Sequence, residues 1–145
     1  MKTIKNNAEN ILTINNSKFI CNLYKVYSYD EVLKYLELTK KKYKDATHYC
    51  YGYIIDKDIK ASDDNEPSGT AGTPIKEVLT KNNLNYILCI VTRYFGGIKL
   101  GASGLIRAYT KSLTLALKED NIATIVKGTK MIITFPYNIS KEIDY

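Results

Sequence analysis

At 145 residues the chain has room for one full domain and the start of another. With 45% hydrophobic residues and charges of both signs it can bury an ordinary core, which excludes a disordered tail. The net charge of +6 and a pI near 9.1 favour an acidic partner, such as nucleic acid, an anionic membrane face or an acidic protein patch, or serve solubility alone.

The longest strongly apolar run, Ile87 to Val91, is far too short to span a bilayer. Met1 to Asn10 carries Lys2, Lys5 and Glu9 and lacks the apolar stretch of a signal peptide, so no membrane association and a cytoplasmic location are expected. Cys21, Cys50 and Cys89 are far apart in the chain and form no CxxC pair. Each lies in a strand-like apolar segment, which favours buried, reduced core thiols over metal ligands.

Ser17 to Tyr27 alternates imperfectly, with Phe19, Cys21 and Leu23 on one side, and reads as a strand. Ser28 followed by Glu31 has capping-box spacing, and Val32, Leu33, Leu36 and Tyr43 recur at helical intervals. They predict a helix from about Tyr29 to Lys42, ending in the basic cluster Lys40 to Lys44 that suits a helix C-terminus. Thr47 to Lys57 predicts a strand with Tyr49, Tyr51, Tyr53 and Ile55 on one face, and Ile59 to Ala61 completes a hairpin. The loop Ser62 to Gly72 is polar, and Thr73 and Pro74 are placed as cap and first turn of a short helix with Ile75, Val78 and Leu79 facing inward.

Tyr86 to Thr92, apolar on both faces, is the candidate central strand. A glycine-rich connection, Arg93 to Gly104, leads to a helix from about Leu105 to Lys118. That helix pairs a buried stripe with a basic stripe of Arg107, Lys111 and Lys118. Asn121 to Lys127 and Lys130 to Phe135 read as strands, and Pro136 to Tyr145 as the opening of a further helix. One domain over 1–128, followed by the start of a truncated second domain over 129–145, is therefore expected.

Two segments have the composition of a site. Ser62-Asp63-Asp64-Asn65-Glu66 gathers three carboxylates that suit a hard cation or an acid–base pair, although not at EF-hand spacing. The same residues, with Ser68, Gly69 and Thr70, equally suit a loop that satisfies its own amides. The second segment runs from strand through glycines into a helix, setting free amides beside Arg93 and Lys99 as phosphate sites do. Its spacing is neither GxGxxG nor GxxxxGK[ST], and close packing of a loop beneath the helix is the alternative. His48, the only histidine, serves either as a structural hydrogen-bonding group or as a catalytic one, with Ser62, Ser68 or Cys50 as nominal nucleophiles and no nucleophile elbow. One histidine without paired cysteines argues against a transition-metal site, and neither metal nor cofactor is expected.

Asp45-Ala46-Thr47-His48, the loop Ser62 to Gly72, and Val91-Thr92-Arg93-Tyr94-Phe95-Gly96-Gly97-Ile98-Lys99-Leu100-Gly101 together resemble the YigZ/IMPACT family. Gly104-Leu105 and Arg107-Ala108-Tyr109 continue the resemblance, which covers roughly residues 17 to 128. Asn65, Tyr49 and Ser103 depart from it without removing a charged residue. The resemblance implies an α/β (α+β) two-layer sandwich, a mixed sheet packed against helices, like the second domain of the fifth small-subunit ribosomal protein. It implies a translation-linked regulatory or binding module contacting RNA, the ribosome or a translation-associated protein, and a ferredoxin-like fold for the second domain. Fold kinship does not establish function. The contacts expected are Arg93, Lys99 and Arg107, with amides of Gly96, Gly97 and Gly101. The alternatives are an enzyme on a phosphorylated small molecule, drawing on His48, Asp63, Asp64 and Glu66, and a protein-interaction module.

Overall fold

The computed structural model describes residues 1–127 and 132–136. Its strands are β1 (Lys2–Ile4), β2 (Ala8–Ile14), β3 (Ser17–Lys25), β4 (His48–Ile55), β5 (Asp58–Ser62), β6 (Ile87–Tyr94), β7 (Ile122–Lys127) and β8 (Ile132–Pro136). Its helices are α1 (Tyr29–Lys42), α2 (Gly72–Lys81) and α3 (Gly101–Ala116). Five strands form one sheet in the order β2-β3-β6-β4-β5, and β1-β7-β8 form a second.

The expected α/β sandwich is present, and the detail of its sheet is informative. A strand–helix–strand run such as β3-α1-β4 ordinarily lays its two strands side by side and parallel. Here β6 sits between them and pairs antiparallel with both, Cys21 opposite Val91 on one side and Gly52 opposite Cys89 on the other. All pairs in this sheet are consequently antiparallel, rather than mixed. β6 is buried along nearly its whole length because helices cover both of its faces.

Phe19, Cys21, Leu23, Cys50, Cys89 and Val91 point towards α2 and α3, where they meet Ile75, Leu79, Leu105, Tyr109 and Leu113. Leu88, Ile90 and Tyr53 point the other way, towards Val32 of α1. The α1 cap forms as its spacing predicts: Glu31 N donates to Ser28 Oγ at 3.3 Å, and Glu31 Oε1 accepts from Tyr27 N at 2.6 Å. Leu33, expected to face inward, is half exposed.

Several elements differ from expectation. α3 begins at Gly101, not Leu105, so the end of the glycine-rich stretch is the first helical turn. α2 starts at Gly72 with no side-chain cap from its own first residues, and Thr73 lies inside it. β1 and β2 are strands that the residue pattern does not predict. β8 pairs antiparallel with β7, and the helix expected from Pro136 to Tyr145 lies outside the described residues.

Ile90 is fully buried on the face that α1 covers. Ile90→Ala is expected to cost about 2–5 kcal/mol, read as a lower urea midpoint at unchanged slope.

Candidate functional site

The two motif segments, more than twenty residues apart in the chain, meet in one open cleft of about 370 Å³. His48, at the start of β4, and Glu66, from the loop after β5, line it together with Arg93, at the end of β6. Lys99 and Gly101, at the start of α3, complete it beside the apolar walls of Pro67, Phe95 and Leu105.

A buried ion pair forms the floor. Arg93 is 5% exposed and Glu66 7%. Arg93 Nη1 donates to both oxygens of Glu66, at 3.0 and 2.7 Å, and Nη2 donates to Ser17 Oγ at 3.3 Å. The Tyr109 hydroxyl donates to Glu66 Oε2 at 2.5 Å. The Phe19 and Phe95 rings lie against the guanidinium, with centroids at 5.4 and 5.5 Å. Among the described residues Arg93 Nε has no hydrogen-bond partner.

His48 joins this group from the open side. Its Nδ1 is 2.8 Å from the Asp64 carbonyl oxygen, and a carbonyl only accepts, so the hydrogen sits on Nδ1. Nε2 then faces Glu66 Oε1 at 3.3 Å, an ion pair when the ring is charged.

The other two carboxylates of the acidic loop are held by backbone. Asp63 accepts from the amides of Gly69, Ala71 and Gly72 at 2.9, 3.1 and 2.8 Å. It thereby caps α2 from nine residues before its first residue, the task expected of Thr73. Burial by itself would raise the Asp63 pKa, but these three donors outweigh it and hold the carboxyl below its ordinary value. Asp64 Oδ2 accepts from Tyr49 N at 2.7 Å, and Ser62 Oγ accepts from Asp64 N at 3.2 Å. Thr70 Oγ1 donates to the Pro67 carbonyl at 2.5 Å, while Ser68 is exposed. Cys50 is fully buried, and burial pushes its thiol far above the ordinary range. Burial does the same to the Tyr109 phenol, so neither is an ionised nucleophile at neutral pH.

Within the glycine-rich segment the amides divide. Gly96 N donates to Ser17 Oγ at 3.1 Å, and a Cβ there would lie 2.0 Å from the Asn16 carbonyl carbon. Gly96 is therefore a close-packing glycine whose amide is already used. Gly97 and Gly101 are exposed with φ of +87° and +75°, a region that favours glycine. α3 has neither a capping side chain nor an acidic residue in its first turn, which leaves its leading amides free. Arg107 is not brought into this cleft; it lines a neighbouring groove across Leu100. Sequence reasoning missed Ser17 and Tyr109 as supports of the floor. Tyr109 lies within a quoted motif and Ser17 at the start of a predicted strand, but only the fold reveals what their hydroxyls touch.

The family model for the Impact N-terminal domain matches residues 15–117. The chain belongs to that family. It is similar to the IMPACT family member YvyE of Bacillus subtilis (strain 168), 49% identical over 123 residues, covering 83% of this chain and 57% of the relative. It is also similar to the IMPACT family member YigZ of Escherichia coli (strain K12), 32% identical over 111 residues, covering 73% and 54%. The chain thus spans little more than half the length of these curated relatives. A solved structure described as that of a hypothetical protein superposes with a TM-score of 0.78 at 27% identity, covering 92% of this chain and 62% of that one.

Two measurements check this site. Glu66→Ala leaves the Arg93 guanidinium buried without its carboxylate and is expected to cost about 3–5 kcal/mol in urea unfolding. For Asp63, the depressed folded pKa means its stabilisation is present above the unfolded value of 3.8 and is lost as pH falls through the folded one. Asp63→Asn is therefore expected to lower stability at neutral pH and to flatten its decline on acidification below that value. A variant with the wild-type acid profile would remove Asp63 from this role.

Proposed function

We propose that this chain is a translation-linked binding module that receives an anionic group of its partner in the cleft between the acidic loop and the N-terminus of α3. The observation that carries this reading is the charge balance of the cleft. Glu66 already neutralises Arg93, so the cation left over is exposed Lys99, beside helix amides that no side chain caps. A phosphate or carboxylate is the group that such a surface stabilises. The connection to translation comes from the family resemblance, and RNA, the ribosome and a translation factor all present such groups.

A second reading has its own support. His48 and Glu66 stand 3.3 Å apart in a cavity large enough for a small ligand, as an enzyme on a phosphorylated metabolite requires. Asp63 and Asp64 would serve there only as scaffold, because backbone amides already occupy their carboxylates. Phosphate release from a panel of such metabolites that disappears in His48→Gln would favour it. A protein-interaction module remains the third reading, favoured by capture of a partner that survives nuclease.

Cosedimentation with ribosomes tests the leading reading. Wild-type protein is expected to cosediment, and to dissociate as salt rises from about 50 to about 200 mM. Lys99→Glu is expected to abolish cosedimentation at the lower salt while leaving the urea midpoint unchanged, since the side chain is exposed. Equal cosedimentation of both proteins would overturn it.

A further inference from the structure

The positive surface does not end at Lys99. Across Leu100, which lines both depressions, a second groove of about 410 Å³ is bordered by Asn15, Gly104, Arg107 and Lys111. Arg107 and Lys111 are four residues apart on α3, so they share a helix face, and both are exposed. Among the described residues no carboxylate pairs with Lys99, Arg107 or Lys111. The sixteen residues of α3 include no acid at all. Lys99 moreover stands just before the helix N-terminus, where a cation opposes the dipole. An arrangement that is locally unfavourable marks a place where a ligand supplies the missing charge.

An independent observation points to the same end of α3. Arg93, 5% exposed and lining the first cleft, has no partner for its Nε among the described residues. Phe95 lies beside it in the cleft wall, 46% exposed, with the guanidinium 5.5 Å from its ring centroid. An exposed aromatic ring next to cations suits a nucleobase, which an acidic peptide lacks. A duplex is too wide for a cleft of about 370 Å³, whereas one unstacked nucleotide fits. From the first turn of α3 to Lys111 is roughly 15 Å along the helix, the reach of a short oligonucleotide rather than of a single nucleotide.

We infer that single-stranded RNA passes over the N-terminal end of α3, with one base against Phe95, its phosphate at Lys99 and the α3 amides, and neighbouring phosphates over Arg107 and Lys111. This rests on the anion-binding reading of the cleft and names the partner; RNA rather than DNA follows from the translation link.

Fluorescence anisotropy with a labelled six-nucleotide oligouridine tests it, with the DNA counterpart, uridine monophosphate and inorganic phosphate as comparisons. Wild-type protein is expected to bind the RNA hexamer at least tenfold more tightly than the monophosphate. The double variant Arg107→Gln/Lys111→Gln is expected to erase most of that ratio and to reduce the slope of log K against log salt by about 1.4. Phe95→Ala is expected to weaken the hexamer at least fivefold. If the monophosphate binds as tightly as the hexamer and the double variant keeps the wild-type slope, the second groove is not part of the path and the cleft reading alone survives. Equal affinity for DNA overturns the assignment to RNA. If hexamer, monophosphate and phosphate all fail to bind, the inference falls; whether wild-type protein cosediments with ribosomes then decides whether the cleft reading falls with it.

Discussion

Removing two opposite charges from water is tolerable only when each finds the other in good geometry and the spare hydrogen-bonding positions are filled. Glu66 and Arg93 meet most of that condition by recruiting nearly every element around them. The carboxylate comes from the loop after β5, the guanidinium from β6, a hydroxyl from the start of β3 and a phenol from the middle of α3. His48 approaches from β4. A single buried pair thus ties the two motif segments to the sheet and to the helix behind it. The separation of those segments in the chain becomes adjacency in space, and the cleft opens directly above the pair.

The loop that delivers Glu66 is held in place by its other two acids. Asp63 uses its carboxylate on amides at the far end of its own loop, closing the loop and capping α2 at once. Asp64 fastens the loop to β4 through the Tyr49 amide, and its carbonyl orients the His48 ring. Of three acids in four positions, two are framework and one faces the cleft. The composition that looks like a cation site is, in the fold, a device for presenting Glu66 beside Arg93.

Much of this was legible in the residues. The α1 boundaries followed from Ser28, Glu31 and a helical stripe, and the central position of β6 followed from its two apolar faces. Local signals were weaker where the structure departs from expectation. β2 is an edge strand whose exposure alternates but whose residue types do not follow it, Asn10 lying on the less exposed face and Ile11 on the exposed one, so its partner β3 specifies it more than its own pattern does. The early start of α3 was hidden because glycine is a poor helix former, yet Gly101 and Gly104 sit in its first turns. Arg93 and Lys99 are expected together from the glycine-rich segment and do share the cleft, whereas the separation of Arg107 by Leu100 depends on which way a helix face turns. The pairing of Gly96 with Ser17 is a tertiary contact that spacing alone cannot reveal.

The placement of β6 between β3 and β4 has a consequence for how the chain acquires its shape. Neither β3 nor β4 has its inner neighbour until residues near 90 exist, so the first half of the chain can form α1 and two separate hairpins but no shared core. Loop closure over this distance sets a high contact order, which slows folding. During synthesis the emerging segment would keep Phe19, Leu23 and Cys50 uncovered until β6 has slid between its partners and α3 has followed it out of the exit tunnel to pack over them. Assembly is therefore a late, all-at-once event, and that interval is when the nascent chain has most need of protection from aggregation.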